Sequence, residues 1–210
     1  MRTSFTLDDP ASRIVHHVES EAVRTVKPGK VSVFAKRAAR GLSRRLRAFG
    51  QVEPDGFDLD AVPTADIALY FADQPAKLYQ LTQWLPVFEN QIDMRTIVVV
   101  RNLETYNELR ALTSLQVLLV PRYEILMALY DRADFHAVIY VNNGWTNFQS
   151  LSFQQAVHIH VNHGESDKIC MVSNQAKAYD KVFVAGQAAI DRHAAAIAWV
   201  DSSHLGTVGR

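Results

Sequence analysis

His163 and Gly164 stand where an apolar stretch, Val157-His-Ile-His-Val161, gives way to the polar run Asn162-His-Gly-Glu-Ser-Asp-Lys168. An imidazole at such a strand end can take a proton from an attacking hydroxyl. Gly164 lets backbone N–H groups approach an anion, Lys168 brings a charge that neutralises phosphate, and Glu165 or Asp167 can orient the ring. The plainer alternative is a loop histidine that hydrogen-bonds a carbonyl. Fifteen residues past Gly164, the run Tyr179-Asp-Lys-Val-Phe-Val-Ala-Gly186 repeats the plan, a short apolar strand closing on a glycine. Active sites of α/β proteins collect at the carboxyl ends of strands, so both ends are expected to face one cleft.

Other residue types offer less. His158-x-His160-x-Asn162-His163 resembles the His-x-His-x-Asp-His run of metallo-β-lactamase-type hydrolases, because residues two apart on a strand share a face. Asn162, however, stands where a carboxylate ligand is needed. No metal is therefore expected, and His158 and His160 are read as strand residues on one buried, hydrogen-bonded face. Cys170, between Ile169 and Met171, reads as a small core residue. Trp84, Trp145 and Trp199 read as packing residues, with Trp145 also placed to line a cleft from the loop Asn142-Asn-Gly-Trp-Thr-Asn147.

The elements that must position these groups are legible as alternating patterns. Strand-like runs at 66–71, 96–101, 115–120, 137–141, 157–161 and 181–185 alternate with helical segments at 76–89, 103–112, 123–131 and 187–200. Near-continuous apolar strands separated by helices predict an α/β protein, a Rossmann-like open parallel sheet with helices on both faces. Right-handed crossovers then bring all strand carboxyl ends to one edge. After the first strand stands Phe71-Ala-Asp-Gln-Pro75 rather than Gly-x-Gly-x-x-Gly, which argues against a dinucleotide site there.

The 210 residues carry 22 basic and 22 acidic side chains, but unevenly. Residues 1–52 hold eleven basic and four acidic groups (+7), and 53–210 hold eleven and eighteen (−7). Val31–Phe49 has helical periodicity at about 100° per residue, with Lys36, Arg37, Arg40, Arg44 and Arg47 opposite an apolar stripe. Such a helix suits the headgroup layer of an anionic membrane; equally, it can pack on its own domain with a solvated basic face. No aromatic platform accompanies the charge, so nucleic acid is not an expected partner. One cysteine excludes an internal disulfide and fits a cytoplasmic setting. The expected organisation is a basic segment over 1–52, a linker over 53–64 and one domain over 65–210.

The loop His163-Gly-Glu-Ser-Asp-Lys168 and the strand Tyr179-Asp-Lys-Val-Phe-Val-Ala-Gly186 together resemble paired motifs of the CDP-glycerol glycerophosphotransferases, which make teichoic-acid-like polymers. The resemblance is specific over Val157–Asp191, with Asn162 where a tryptophan is usual and Glu165 where a threonine is usual. It implies a GT-B architecture, of which this chain, reaching Gly206–Arg210 after one domain's last helix, is expected to be the acceptor-side N-terminal half. It also implies transfer of glycerol phosphate from CDP-glycerol to a hydroxyl of a polyol-phosphate or lipid-linked acceptor, with release of CMP and no cofactor. In that reading His163 is the catalytic base, Gly164, Glu165, Lys168 and Gly186 bind phosphate or substrate, and the basic helix holds the enzyme on the inner membrane face. Two other readings remain: a GT-B glycosyltransferase using another nucleotide, and a non-catalytic module binding anionic lipid or polymer.

Overall fold

The computed structural model describes residues 59, 61–91, 93–164 and 172–208. The basic segment with Lys36, Arg37, Arg40, Arg44 and Arg47 lies outside the described residues, as do Glu165, Lys168 and Cys170. Seven strands form a single parallel sheet: β1 (Ile67–Phe71), β2 (Thr96–Val100), β3 (Gln116–Leu119), β4 (Ala137–Tyr140), β5 (Val157–His160), β6 (Lys181–Val184) and β7 (Leu205–Thr207). Their order is β3-β2-β1-β4-β5-β6-β7, and every neighbouring pair is parallel. The Rossmann-like sheet read from the sequence is therefore the observed fold.

Alternation along each strand supplies two cores. Ile67, Leu69 and Phe71 of β1, with Ala137 and Ile139 of β4, point to one face. There they meet α1 (Tyr79–Thr82), α2 (Leu85–Glu89) and α3 (Leu103–Leu109) through Leu81, Leu85, Phe88 and Leu109. Ala68, Tyr70, Val138 and Tyr140 point to the other, against α4 (Tyr123–Ala133) and α6 (Gln187–Ala196). Each fully buried aliphatic or aromatic side chain contributes about 1.5–3 kcal/mol, and all five residues of β1 and of β2 are buried. Among the described residues, no helix is long and apolar enough to cross a membrane.

Three local expectations need correction. The helix expected over 76–89 is a 3-10 turn (Pro75–Lys77) followed by α1 and α2. Pro86 lacks an N–H and is tolerated only in a first helical turn, so the helix restarts at Leu85. Past the last helix, where no strand was read, Leu205–Thr207 pairs with β6 as a seventh strand, and Val208 is buried. A short helix, α5 (Asn147–Leu151), follows β4 where only a loop was read.

His158 and His160 share one buried face, as their spacing predicts, but differ in how they are satisfied. The His158 Nε2–H donates to the Phe153 carbonyl (2.6 Å), and its Nδ1 accepts from the Tyr140 hydroxyl (2.8 Å). That hydroxyl in turn accepts from Ser150 (2.7 Å), which accepts from Tyr130 (2.6 Å). His160 corrects the expectation of a hydrogen-bonded ring: neither nitrogen has a partner among the described residues, and the imidazole stacks on Tyr179 at 5.0 Å and 21°.

Burial, with the nearby His163 and His193 adding to it, pushes the His160 pKa down to about 3. Because the folded value lies below the unfolded one, the native state binds fewer protons. Stability is complete above the unfolded pKa of about 6.5 and is lost as pH falls toward the folded value, at up to about 1.4 kcal/mol per pH unit. His158, also lowered by burial, adds in the same direction. His160→Phe retains a ring over Tyr179 and removes two unpaired buried nitrogens. Urea unfolding at pH 7, 6 and 5 is expected to show a variant at least as stable as wild type at pH 7 and with a shallower loss toward pH 5.

Candidate functional site

The crossovers reverse direction between β1 and β4, where the chain passes from one face of the sheet to the other. In open α/β sheets such a switch point is the crevice where ligands bind, at the carboxyl edge; here the loops after the two strands are joined across it, Asn142 Nδ2 donating to Asp73 Oδ2 at 2.7 Å. All the strands end at this edge, among them β1, β4, β5 and β6, which are followed by residues 72–74, 141–146, 161–164 and 185–186.

His163 reaches this edge through an unusual backbone. Asn162 has φ 61°, in the left-handed region that Asn tolerates better than most residues. Its Oδ1 accepts the His163 backbone N–H at 2.8 Å, and its carbonyl accepts the Trp84 indole N–H at 2.6 Å. Asn162 thus makes the bend that turns His163 toward α1, which explains an asparagine here without any ligand. Gly164 follows with φ +121°, and a Cβ there would touch nothing within 4 Å. Its glycine is required by backbone conformation and not by space.

The imidazole is held on both sides. Nδ1 lies 3.1 Å from the Val141 carbonyl, which only accepts, so Nδ1 carries the proton. Nε2 lies 3.2 Å from the Gln80 amide nitrogen, which only donates, so Nε2 presents its lone pair. Tyr79 stands edge-on to the ring at 6.2 Å. Behind Gln80 the bonds continue. Asn142 Nδ2 donates to Gln80 Oε1 (2.9 Å) and to Asp73 Oδ2 (2.7 Å), and Asp73 Oδ1 pairs with Lys77 at 2.8 Å. Gln80 and Asn142 are both buried. Asn147 fixes the β4 loop by donating to the Asn142 carbonyl (2.6 Å) and the Tyr179 hydroxyl (3.0 Å).

Beside the β4 loop lies an open cleft of about 760 Å³, lined by Asn143, Trp145, Phe148, Asn174, Gln175 and Lys177 among others. Its volume suits a small ligand, but neither His163, Gly164 nor Gly186 lines it, so this is not the shared cleft expected of the two strand ends. Trp145 is 83% exposed, with Phe148 at 5.6 Å between ring centroids. Trp145 therefore lines a cleft, as its loop position suggests, and is not a packing residue. Trp199 corrects the packing expectation more sharply, being 98% exposed at φ 59°. Trp84 is partly buried against the core and hydrogen-bonded.

Of the expected site residues, His163 and Gly164 sit together at the carboxyl edge, and Gly186 lies at the same edge at the end of neighbouring β6, as N-cap of α6. Its φ of 172° is extended backbone open to any residue. His163 is oriented by Gln80 and the Val141 carbonyl; Glu165, Asp167 and Lys168 lie outside the described residues. Sequence reading missed the roles of Gln80 and Asp73, and also Arg101. The Arg101 guanidinium bonds the Tyr70 hydroxyl (3.2 Å), Gln149 Oε1 (2.7 Å) and the Pro121 carbonyl (2.8 Å) at the β2 end. No family model, curated protein or solved structure matches the chain.

The two glycines should separate in a stability test. Gly164→Ala forces a Cβ onto positive φ and is expected to cost about 1–3 kcal/mol. Gly186→Ser should be neutral or stabilise by a few tenths, since serine is the better N-cap. Urea melts of both variants check this, and equal costs would contradict the assignment.

Proposed function

We propose that this chain is the acceptor-side domain of a phosphotransferase of the CDP-glycerol glycerophosphotransferase type, with His163 as general base. One observation carries the reading. At the carboxyl edge of the switch crevice, a single imidazole has its Nδ1 proton committed to backbone, leaving the Nε2 lone pair as its basic nitrogen. The motif resemblance over Val157–Asp191 supplies the chemistry that such a base serves.

In this reading an acceptor hydroxyl gives its proton to His163 Nε2 as its oxygen bonds to the glycerol-bearing phosphorus of CDP-glycerol. The bond from that phosphorus to the CMP oxygen breaks, and CMP leaves with the electron pair. Such a displacement rests on positioning and on charge around the phosphoryl oxygens; Gly164, Glu165, Lys168 and Gly186 are the proposed binding residues. The Trp145–Phe148 cleft supplies an aromatic wall and amide side chains that suit a hydroxyl-rich acceptor. The GT-B plan gives the nucleotide to a second Rossmann-like domain, and the basic face with Lys36, Arg37, Arg40, Arg44 and Arg47 would hold the enzyme at an anionic membrane.

The test is CMP release from CDP-glycerol, measured on the full-length protein with and without a poly(glycerol phosphate) acceptor. Acceptor-dependent release is expected, falling by about 10²-fold or more in His163→Ala. Trp145→Ala should raise KM for the acceptor with a smaller effect on kcat. Release that is independent of acceptor, or unchanged in His163→Ala, would overturn the proposal.

A further inference from the structure

The bonds behind His163 run in one direction only, and that direction is set by a group at their far end. The Asp73 carboxylate, ion-paired with Lys77, offers only acceptors. Asn142 must therefore turn its NH₂ toward Asp73, and the same NH₂ reaches Gln80 Oε1. With its oxygen so engaged, Gln80 turns its own NH₂ outward. One hydrogen meets His163 Nε2 at 3.2 Å and the other the Tyr79 hydroxyl at 3.3 Å. Inverting Gln80 would set its NH₂ against that of Asn142; inverting both would set the Asn142 oxygen against the carboxylate. Both amides are buried, so water does not relieve either mismatch.

The geometry points to Asp73, Asn142 and Gln80 as positioning residues that, together with the Val141 carbonyl on Nδ1, hold His163 in its Nδ1–H tautomer and cap Nε2 until an acceptor hydroxyl replaces the amide. The inference rests on the proposed role of His163 for its purpose, but not for its geometry. On replacement the acceptor O–H donates to Nε2 at the place the amide N–H vacates. Gln80 keeps its bond to Tyr79, so displacement breaks one hydrogen bond and makes another. Lys77 and Thr105 keep the anchor in place, the latter donating to the Asp73 carbonyl at 2.8 Å.

The experiment is a long-range ¹H–¹⁵N correlation spectrum of the full chain labelled with ¹⁵N-histidine, which reports which ring nitrogen carries hydrogen. His163 is expected to carry its ring hydrogen on Nδ1 and none on Nε2, its signals assigned by their loss in His163→Ala. Gln80→Glu keeps the shape but puts an acceptor against Nε2, and is expected to place a proton on that nitrogen. Asp73→Asn removes the acceptor-only anchor and should raise the share of the Nε2–H tautomer above its wild-type value, against the pull of the Val141 carbonyl on Nδ1–H. His158, bonded through Nε2–H to Phe153, is the internal control and should not change in any variant. An Nε2–H tautomer in the wild type, or an unchanged His163 in Gln80→Glu with His158 intact, would overturn the relay. A variant in which His158 also shifts has lost its fold, and Gln80→Leu then replaces it, with a larger share of the Nε2–H tautomer at His163 as the expected result and an unchanged tautomer as the contrary one. If the tautomers behave as expected while His163→Ala still transfers glycerol phosphate, the relay stands and the catalytic reading of His163 fails.

Discussion

A carboxylate that can only accept, placed where the sheet reverses its winding, sets the polarity of everything around it. Asp73 follows β1, Asn142 follows β4, and the two meet across the β1/β4 crevice at 2.7 Å. Neither reaches the other in any order of strands that separates β1 from β4. From that contact the orientation of two buried amides follows, and from them, with the Val141 carbonyl on the other side of the ring, the tautomer of the imidazole past the end of β5. The site is thus a property of topology first and of residue chemistry second.

The same logic governs the opposite face of the sheet. There the Phe153 carbonyl is the terminal acceptor, and Tyr130, Ser150, Tyr140 and His158 form a chain of donors leading to it. Burial raises the pKa of Tyr130 and Tyr140 and lowers that of His158, so all three stay neutral and fill the roles the chain requires. His160 is the exception, a buried imidazole stacked on Tyr179 whose nitrogens have no hydrogen-bond partner among the described residues. Its retention costs acid stability, while its neighbour three residues on stands at the mouth of the crevice.

How much of this the sequence shows depends on the range of the determining contact. The six apolar strands, the two-sided burial and the carboxyl-edge position of His163 follow from local patterns, since each strand's own residues dictate its pleat. Leu205-Gly-Thr207 carries one buried apolar side chain and follows the polar run Asp201-Ser-Ser-His204, so nothing local marks it as a strand; pairing with β6 makes it one. Asn147–Leu151 hides behind polar residues, of which Asn147 and Ser150 are buried through Tyr179, Tyr130 and Tyr140 elsewhere. Gln80 is the least legible of all. A glutamine between Tyr79 and Leu81 looks like an exposed helical residue, and only partners 62 and 83 positions away make it buried and directional. The resemblance through His163 and Gly186 names a chemistry, whereas the residues that set the state of the imidazole lie outside the resembling stretch.

The central claim, that the bonds running from Asp73 and the Val141 carbonyl together fix where His163 carries its proton, is tested most directly by neutron diffraction from a deuterium-exchanged crystal. The account predicts deuterium on His163 Nδ1 facing the Val141 carbonyl, none on Nε2, and the Asn142 amide deuterons directed at Asp73 and Gln80 Oε1. Deuterium on Nε2 facing a Gln80 oxygen would contradict it.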